Sequence, residues 1–303
     1  MLTPRENLLK ALRHEMPEWI PICGHCDPYN QPSRQDGTSY RVEHFLKGPQ
    51  DLPAFAAMFE DQIVELNPER LAALKEHRER IGDDGIIGVT LPGTPLGMLV
   101  RVYAGVETTA FLCADAPGAL ANLFTVMERR YSEMFRLAAS THGDALITVD
   151  DTSTTTISPT MFERYCIDYT NRMADIAHAG GKLYFHHSCG LIRNLLSLYR
   201  PTRMDAVHAF TIPPIGDVTV KEGKAKLGPG IAIFAGLFQL LGSADRPEQM
   251  ESVVREMFEG AAPGDNFVLG LAADPNITMA DTQKLVEICR KYQRPTERPR
   301  PIG

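Results

Sequence analysis

From residue 145 onward the sequence alternates short apolar runs with longer amphipathic stretches, and this alternation limits the folds open to the chain. Runs typical of buried strands lie at 145–150, 182–187, 204–210, 231–237 and 266–271. The stretches between them are long enough for a helix and leave little room for hairpins. Strands that alternate with helices form parallel sheets covered by helices. The pattern therefore predicts an α/β fold.

Weaker strand signals at 20–23, 85–89 and 107–113 precede these five units. Together they predict a (β/α)8 TIM barrel in a single domain over 1–303. A doubly wound open sheet is the alternative. That fold commonly carries a glycine-rich phosphate turn after its first strand, and neither G-x-G-x-x-G nor a Walker sequence occurs here. Residues 293–303 hold three prolines and three arginines and are predicted to form an extended tail.

Capping residues mark several helix starts. Thr3, Pro4 and Glu6 match a capping box with proline in the first turn, for a helix that ends before Pro17. The stretch 52–80 is mixed and mostly compatible with helix. Further helices are predicted over 158–178 and 191–199, and from 245 and 278 onward.

Charge and composition exclude several classes of function. The chain has 31 Lys+Arg against 38 Asp+Glu and a net charge of −7, with no basic block to bind nucleic acid or a membrane surface. No apolar run reaches the roughly 18–20 residues that span a bilayer, and the first fifteen residues are too charged for a signal peptide. We expect a cytoplasmic protein whose six scattered cysteines are core residues, metal ligands or nucleophiles.

The strongest candidate for chemistry is the run Tyr184–Gly190 at the end of a predicted strand. Alternate strand residues share a face, so His187 and Cys189 are predicted to point one way and His186 the other. The carboxyl ends of barrel strands carry active sites, and imidazole with thiolate suits Zn²⁺. A buried histidine beside a small apolar cysteine is the alternative.

Two further strand ends carry polar candidates. Asp150 and Asp151 close the strand before Tyr184, and either could serve as an acid–base group or substrate contact. The alternative is that they cap the following loop and helix. His208 lies on the strand after His187 and is a candidate catalytic residue, although a lone strand histidine is commonly a satisfied core residue.

Nearly the whole chain resembles the uroporphyrinogen decarboxylase superfamily of (β/α) barrels. Within it, the chain is most similar to zinc-dependent methyltransferases that move a methyl group from a corrinoid protein to a thiol. The resemblance is carried by Thr3–Leu12 with Pro17 and Ile20-Pro21, by Asp150-Asp151 with Ser158-Pro159, by Gly181-Lys182 with His187–Gly190, and by Ala235-Gly236 with Gln239. The His187-Ser-Cys189 motif distinguishes this branch from the decarboxylases, which lack it.

The resemblance implies a zinc site on His187 and Cys189, but its usual third ligand is missing. The methyltransferases carry a cysteine after the last strand, where this chain has Ala273 and Asp274. Asp274 is the predicted replacement, with His25, Cys26 and His208 as alternatives. Cys289 lies one helix later and is predicted to be buried.

A second departure concerns substrate binding. The arginine-bearing N-terminal segment with which the decarboxylases grip tetrapyrrole carboxylates is replaced by Cys23–Tyr29. His25, Cys26 and Tyr29 of this segment, with Gln239, become the predicted substrate contacts. The resemblance thus favours methyl transfer from a corrinoid protein to a small thiol. The alternatives are a carboxy-lyase acting on a carboxylate or tetrapyrrole, and a barrel that binds such a ligand without turnover. The decarboxylases are usually homodimers, which we expect here too.

Overall fold

The structure is a computed structural model that describes residues 2–24, 44–150, 152–236, 247–271 and 279–293. Its centre is a sheet of seven parallel strands in the spatial order β1-β7-β6-β5-β4-β3-β2. The strands are β1 (Ile22–Gly24), β2 (Gly88–Pro92), β3 (Ala145–Val149), β4 (Leu183–His187), β5 (Ala206–Thr211), β6 (Ala232–Gly236) and β7 (Phe267–Leu271). Each neighbour in chain order from β2 to β7 is also a neighbour in the sheet, as the alternation of strands and helices predicts.

Twelve α-helices are described around this sheet. They are α1 (Pro4–Leu12), α2 (Leu52–Glu60), α3 (Pro68–Ile81), α4 (Pro95–Met98), α5 (Gly105–Asp115), α6 (Pro117–Ala139), α7 (Pro159–Tyr165), α8 (Ile167–Ala179), α9 (Leu196–Tyr199), α10 (Val220–Leu227), α11 (Pro247–Gly260) and α12 (Met279–Tyr292). The predicted capping box of α1 is present, with the Thr3 side chain accepting from the Glu6 amide. The parallel sheet and its surrounding helices confirm the α/β class.

The sheet separates two apolar layers. Side chains on its outer face pack against the helices, above all the buried stripe of α6. On its inner face, Leu8 and Leu12 of α1 pack with Ala145, Ala206 and other residues from the first turns of the strands. Helix α1 therefore covers the amino ends of the strands, and the carboxyl ends lie opposite it.

Several sequence predictions about single elements are wrong. The predicted strand at 107–113 is helix α5, whose buried residues Gly105, Thr109 and Leu112 are spaced for one helical face. The predicted helix over 158–178 is two helices that meet at Cys166. The strand expected at 85–89 begins at Gly88, and the helix expected at 191–199 is only α9.

The described helices were also tested for membrane-spanning character. No single one of them combines the length and apolarity that a bilayer span requires. Helices α5 and α6 meet the criteria only as a pair bent by 116°.

Candidate functional site

Two histidines meet on the inner face of the sheet, one at the carboxyl end of β4 and the other in the middle of β5. His187 and His208 are register partners across the two strands, and their Nδ1 atoms lie 3.0 Å apart. His208 is in turn the partner of Phe234, which belongs to the inner apolar cluster. Because paired residues of parallel strands share a face, both imidazoles point to the interior of the fold.

Aromatic neighbours fix the ring of His208. It stacks on Phe185 with an interplanar angle of 11° and a centroid distance of 6.4 Å. The ring of Phe234 lies at 86° to it, with the two ring centroids 5.0 Å apart. His208 is 9% exposed and packed on two sides, so its ring has little freedom to turn away from His187.

The backbone beside His208 is irregular. The register of β5 against β6 shifts between His208 and Phe210, and Ala209 at the shift has a φ of +58°. An alanine in the left-handed region costs about 1 kcal/mol or more and persists only where the surroundings hold it. Bulges of this kind re-aim side chains and are common beside active sites. The bulge makes this part of β5 a candidate functional position.

The segment after His187 is tied down on both sides of Cys189. The Ser188 amide donates to the His208 carbonyl at 3.0 Å, and the Gly190 amide donates to Thr211 Oγ1 at 3.3 Å. Gly190 has a φ of +85°, and a Cβ there would lie 2.9 Å from Ser153 Oγ. Glycine is therefore required at this turn. Cys189, which is partly exposed, is held between these two anchors.

On the opposite face of the sheet, His186 belongs to a buried polar group. Its Nδ1 lies 3.6 Å from Asp150 Oδ2, and both side chains are fully buried. Asp150 accepts hydrogen bonds from the Thr94 amide and from Thr94 Oγ1, each at 2.8 Å. Burial lowers the pKa of His186, outweighing the opposing effect of the Asp150 carboxylate. The imidazole is therefore held neutral behind the sheet.

Three hydroxyl groups extend this buried group to the end of β4. Thr152, Ser188 and Tyr199 form a triangle with oxygen separations of 2.5, 2.7 and 3.0 Å. Thr152 Oγ1 also lies 3.4 Å from His186 Nε2. All three residues are buried, and their direct hydrogen bonds join the strand ends of β3 and β4 to helix α9.

The comparisons with known proteins agree with this architecture. The family model for uroporphyrinogen decarboxylase (URO-D) matches residues 56–292. The chain belongs to the uroporphyrinogen decarboxylase family.

Individual relatives are more distant than the family match. A uroporphyrinogen decarboxylase from Myxococcus xanthus is 28% identical over 152 residues, which is 50% of this chain and 41% of that protein. The chain thus matches less than half the length of this relative. A solved methyltransferase from Methanosarcina mazei superposes with a TM-score of 0.70, covering 96% of this chain and 99% of that one. At 15% identity, this likeness is one of fold.

Among the predicted site residues of this uroporphyrinogen decarboxylase family member, the structure brings His187 and His208 together near Cys189. Asp150 lies on the other face, bound to Thr94 and not directed into the interior. The predicted opposite orientations of His186 and His187 are confirmed, as is the burial of Cys289. The remaining predicted residues lie outside the described residues: His25, Cys26, Tyr29, Asp151, Gln239 and Asp274.

A complete metal site is not formed by the described residues. Across 2–24, 44–150, 152–236, 247–271 and 279–293, no three His, Cys, Asp or Glu side chains are grouped to hold an ion. The described part does offer the paired nitrogens of His187 and His208. Their chemistry fits one half of a zinc site.

The sequence did not predict the residues that support the site from the outer face of the sheet. Thr152 and Tyr199 belong to no motif, and Ser188 stands within the His187-Ser-Cys189 motif without a predicted role of its own. Thr94-Pro95 does match a helix start, and Thr94 Oγ1 indeed accepts from the Gly97 amide at 3.0 Å. Its contact with Asp150, 56 residues away in sequence, has no local signal.

Proposed function

We propose that this chain is a methyltransferase-like enzyme that transfers a methyl group from a corrinoid protein to a small thiol. The observation that supports the proposal best is the location of the His187-Ser-Cys189 motif. His187 lies on the inner face at the carboxyl end of β4, and Cys189 follows on an anchored turn. This is the end of a parallel β/α sheet where active sites form.

The metal would be zinc, held by His187 and Cys189 with Asp274 as the first candidate for a third ligand and His25, Cys26 or His208 as alternatives. A nitrogen, a sulfur and an oxygen are all ordinary zinc ligands, and catalytic sites keep one further position open. Bound there, zinc would lower the pKa of the acceptor thiol so that the thiolate is present at neutral pH.

The chain's own residues would bind and orient the two reactants. His25, Cys26, Tyr29 and Gln239 are the proposed substrate contacts. The corrinoid protein would dock over the carboxyl ends of the strands, since helix α1 covers the amino ends. In the transfer the thiolate sulfur forms a bond to the methyl carbon while the carbon–cobalt bond breaks. Cobalt keeps the electron pair and passes from Co(III) to Co(I), and the products are a methyl thioether and the reduced corrinoid.

A carboxy-lyase is the second candidate, because the matching family model and the Myxococcus xanthus relative are both uroporphyrinogen decarboxylases. In that reaction Asp150, Asp151 or His208 would supply the acid–base group. Asp150 is poorly suited to the role, since its carboxylate is buried and engaged by Thr94. The segment Cys23–Tyr29 also lacks an arginine to bind the substrate carboxylates.

The two candidates are separated by parallel assays on the full chain. In one, anaerobic protein receives methylcobalamin and 2-mercaptoethanol, and the thioether is measured by mass spectrometry with cob(I)alamin by absorbance. In the other, it receives uroporphyrinogen, and the products are resolved by chromatography. We expect the thioether and no coproporphyrinogen. Coproporphyrinogen without the thioether would establish the carboxy-lyase and overturn the methyltransferase proposal.

A further inference from the structure

The contact between His187 and His208 bears on the missing metal ligand. Two Nδ1 atoms 3.0 Å apart can share one proton as a hydrogen bond, or both can bind the same ion. Two nitrogens bound to a tetrahedral Zn²⁺ at 2.0–2.1 Å are roughly 3.3 Å apart. The observed separation is close to this value, so binding an ion requires only a small movement of the rings.

Both rings bring their Nδ1 atoms to the same place on the inner face. The register places His187 and His208 side by side on the inner face. Phe185 and Phe234 pack against the ring of His208, and the bulge at Ala209 sets the direction of the strand end. Binding sites of this kind depend on rotamers that packing holds in place before the ligand arrives.

We infer that His208 is a metal ligand and that His187 and His208 together bind one divalent transition-metal ion through their Nδ1 atoms. The inference deepens the proposed function, on which it rests for the role of the ion. In this assignment His208, and not Asp274, is the third ligand. Its neutral nitrogen stands in place of the methyltransferases' thiolate, so the site carries one negative charge fewer. A less negative site attracts an incoming thiolate more strongly.

Metal affinity of the full chain tests the inference. Protein freed of metal with a chelator is titrated with Zn²⁺ by calorimetry and with Co²⁺ by absorption. His208→Phe keeps a ring between Phe185 and Phe234 but removes both nitrogens. The matched control is His142→Gln, since His142 is an exposed histidine away from the site. We expect wild type and His142→Gln to bind one ion, and His208→Phe to bind at least about 100-fold more weakly, beyond the effect of losing an outer-shell partner.

A second measurement guards against misfolding and counts the ligands. His208→Phe should melt within a few degrees of the wild type, and zinc X-ray absorption of wild type should give two imidazole nitrogens. Wild-type affinity in His208→Phe, or a single imidazole in the absorption spectrum, would show that the contact is only a hydrogen bond. Absence of metal binding in the wild type would also overturn the inference.

The outcomes for metal binding and for turnover are separable. Loss of metal in His208→Phe with no thioether from wild type supports the ligand assignment and contradicts methyl transfer. Thioether formation together with unchanged metal affinity in His208→Phe supports methyl transfer and contradicts the assignment.

Discussion

Strand β4 carries two adjacent histidines in opposite environments. His186 lies behind the sheet among hydroxyl groups and the Asp150 carboxylate, fully buried and with a lowered pKa. His187 faces the interior near the carboxyl ends of the strands, against the imidazole of His208. One step along a strand reverses the face, so the same residue type serves in a structural group and in a candidate site.

The two faces of the sheet differ in how their polar groups are engaged. The outer region, formed by Asp150, Thr152, His186, Ser188 and Tyr199, has its polar groups in contact with one another. It joins β3 and β4 to helix α9. The inner region presents two imidazoles beside a partly exposed thiol. Substitutions in the outer region should therefore change stability, and substitutions in the inner region should change metal binding and turnover.

The largest effect on stability is expected from Asp150→Ala. This variant leaves the Thr94 amide and hydroxyl buried without their acceptor. Hydrogen bonds to charged groups and buried unsatisfied donors together predict a loss of about 3 kcal/mol in the free energy of unfolding. Denaturant unfolding should show it, with the exposed Asp115→Ala within about 0.5 kcal/mol of wild type. A comparably small change in Asp150→Ala would contradict a structural role for the outer region.

The pH dependence of stability should distinguish His186 from a surface histidine. Because the folded pKa of His186 is lowered, its contribution is complete above the unfolded value of about 6.5 and is lost as the pH falls. The hydrogen bond to Asp205 raises the pKa of His178, whose contribution is present at low pH and lost as the pH rises.

Unfolding free energies between pH 7 and 5 measure both effects. Wild type should lose up to about 1.4 kcal/mol per pH unit through His186, and His186→Gln should flatten this fall. His178→Gln should instead differ most from wild type at the acidic end. An unchanged slope in His186→Gln would mean that His186 takes up a proton in the folded state.

A smaller effect is expected from Ser188→Ala, which opens the hydroxyl triangle. Thr152 and Tyr199 each lose their contact with Ser188 but keep their mutual contact at 3.0 Å. We expect a loss of about 1.5 kcal/mol in unfolding free energy. Ser140→Ala is the control, since its hydroxyl bonds the exposed end of α6. Equal effects of the two substitutions would show that the hydroxyl triangle does not stabilise the fold.

The smallest effect on stability is expected from His187→Gln. Its side chain is only partly buried, and an amide can still bond to His208, so the unfolding free energy should fall by less than about 1 kcal/mol. Zinc content measured on the same preparation should nevertheless drop severely. A large loss of stability with full metal retention would show that His187, like His186, has a structural role.

The sequence predicted the parts of this picture that depend on local periodicity. The strand Leu183–His187, the opposite faces of His186 and His187, and the capping of α1 all follow from alternation or from short capping patterns. The apolar run at 107–113 misled because a buried helical face and a buried strand share composition over so few residues.

The supports of the site depend on contacts between distant segments, which no local pattern reveals. Asp150 was predicted to face the site at the end of its strand. Its carboxylate oxygens instead accept hydrogen bonds from Thr94 on the neighbouring loop. The bulge in β5 was equally hidden, since Ala209 is neither glycine nor asparagine. The pairing of His187 with His208 required the register of β4 against β5, which the order of elements alone does not give.

The proposed methyl transfer to a thiol requires Cys189 as a ligand of the zinc ion. This requirement is tested by thioether formation from methylcobalamin and 2-mercaptoethanol, measured in Cys189→Ala and in Cys113→Ala. Cys113 is a matched control because it is also a partly exposed cysteine. We predict that Cys113→Ala retains the wild-type rate and that Cys189→Ala loses most of it. Equal rates in the two variants would contradict the role of Cys189, and no thioether from wild type would contradict methyl transfer itself.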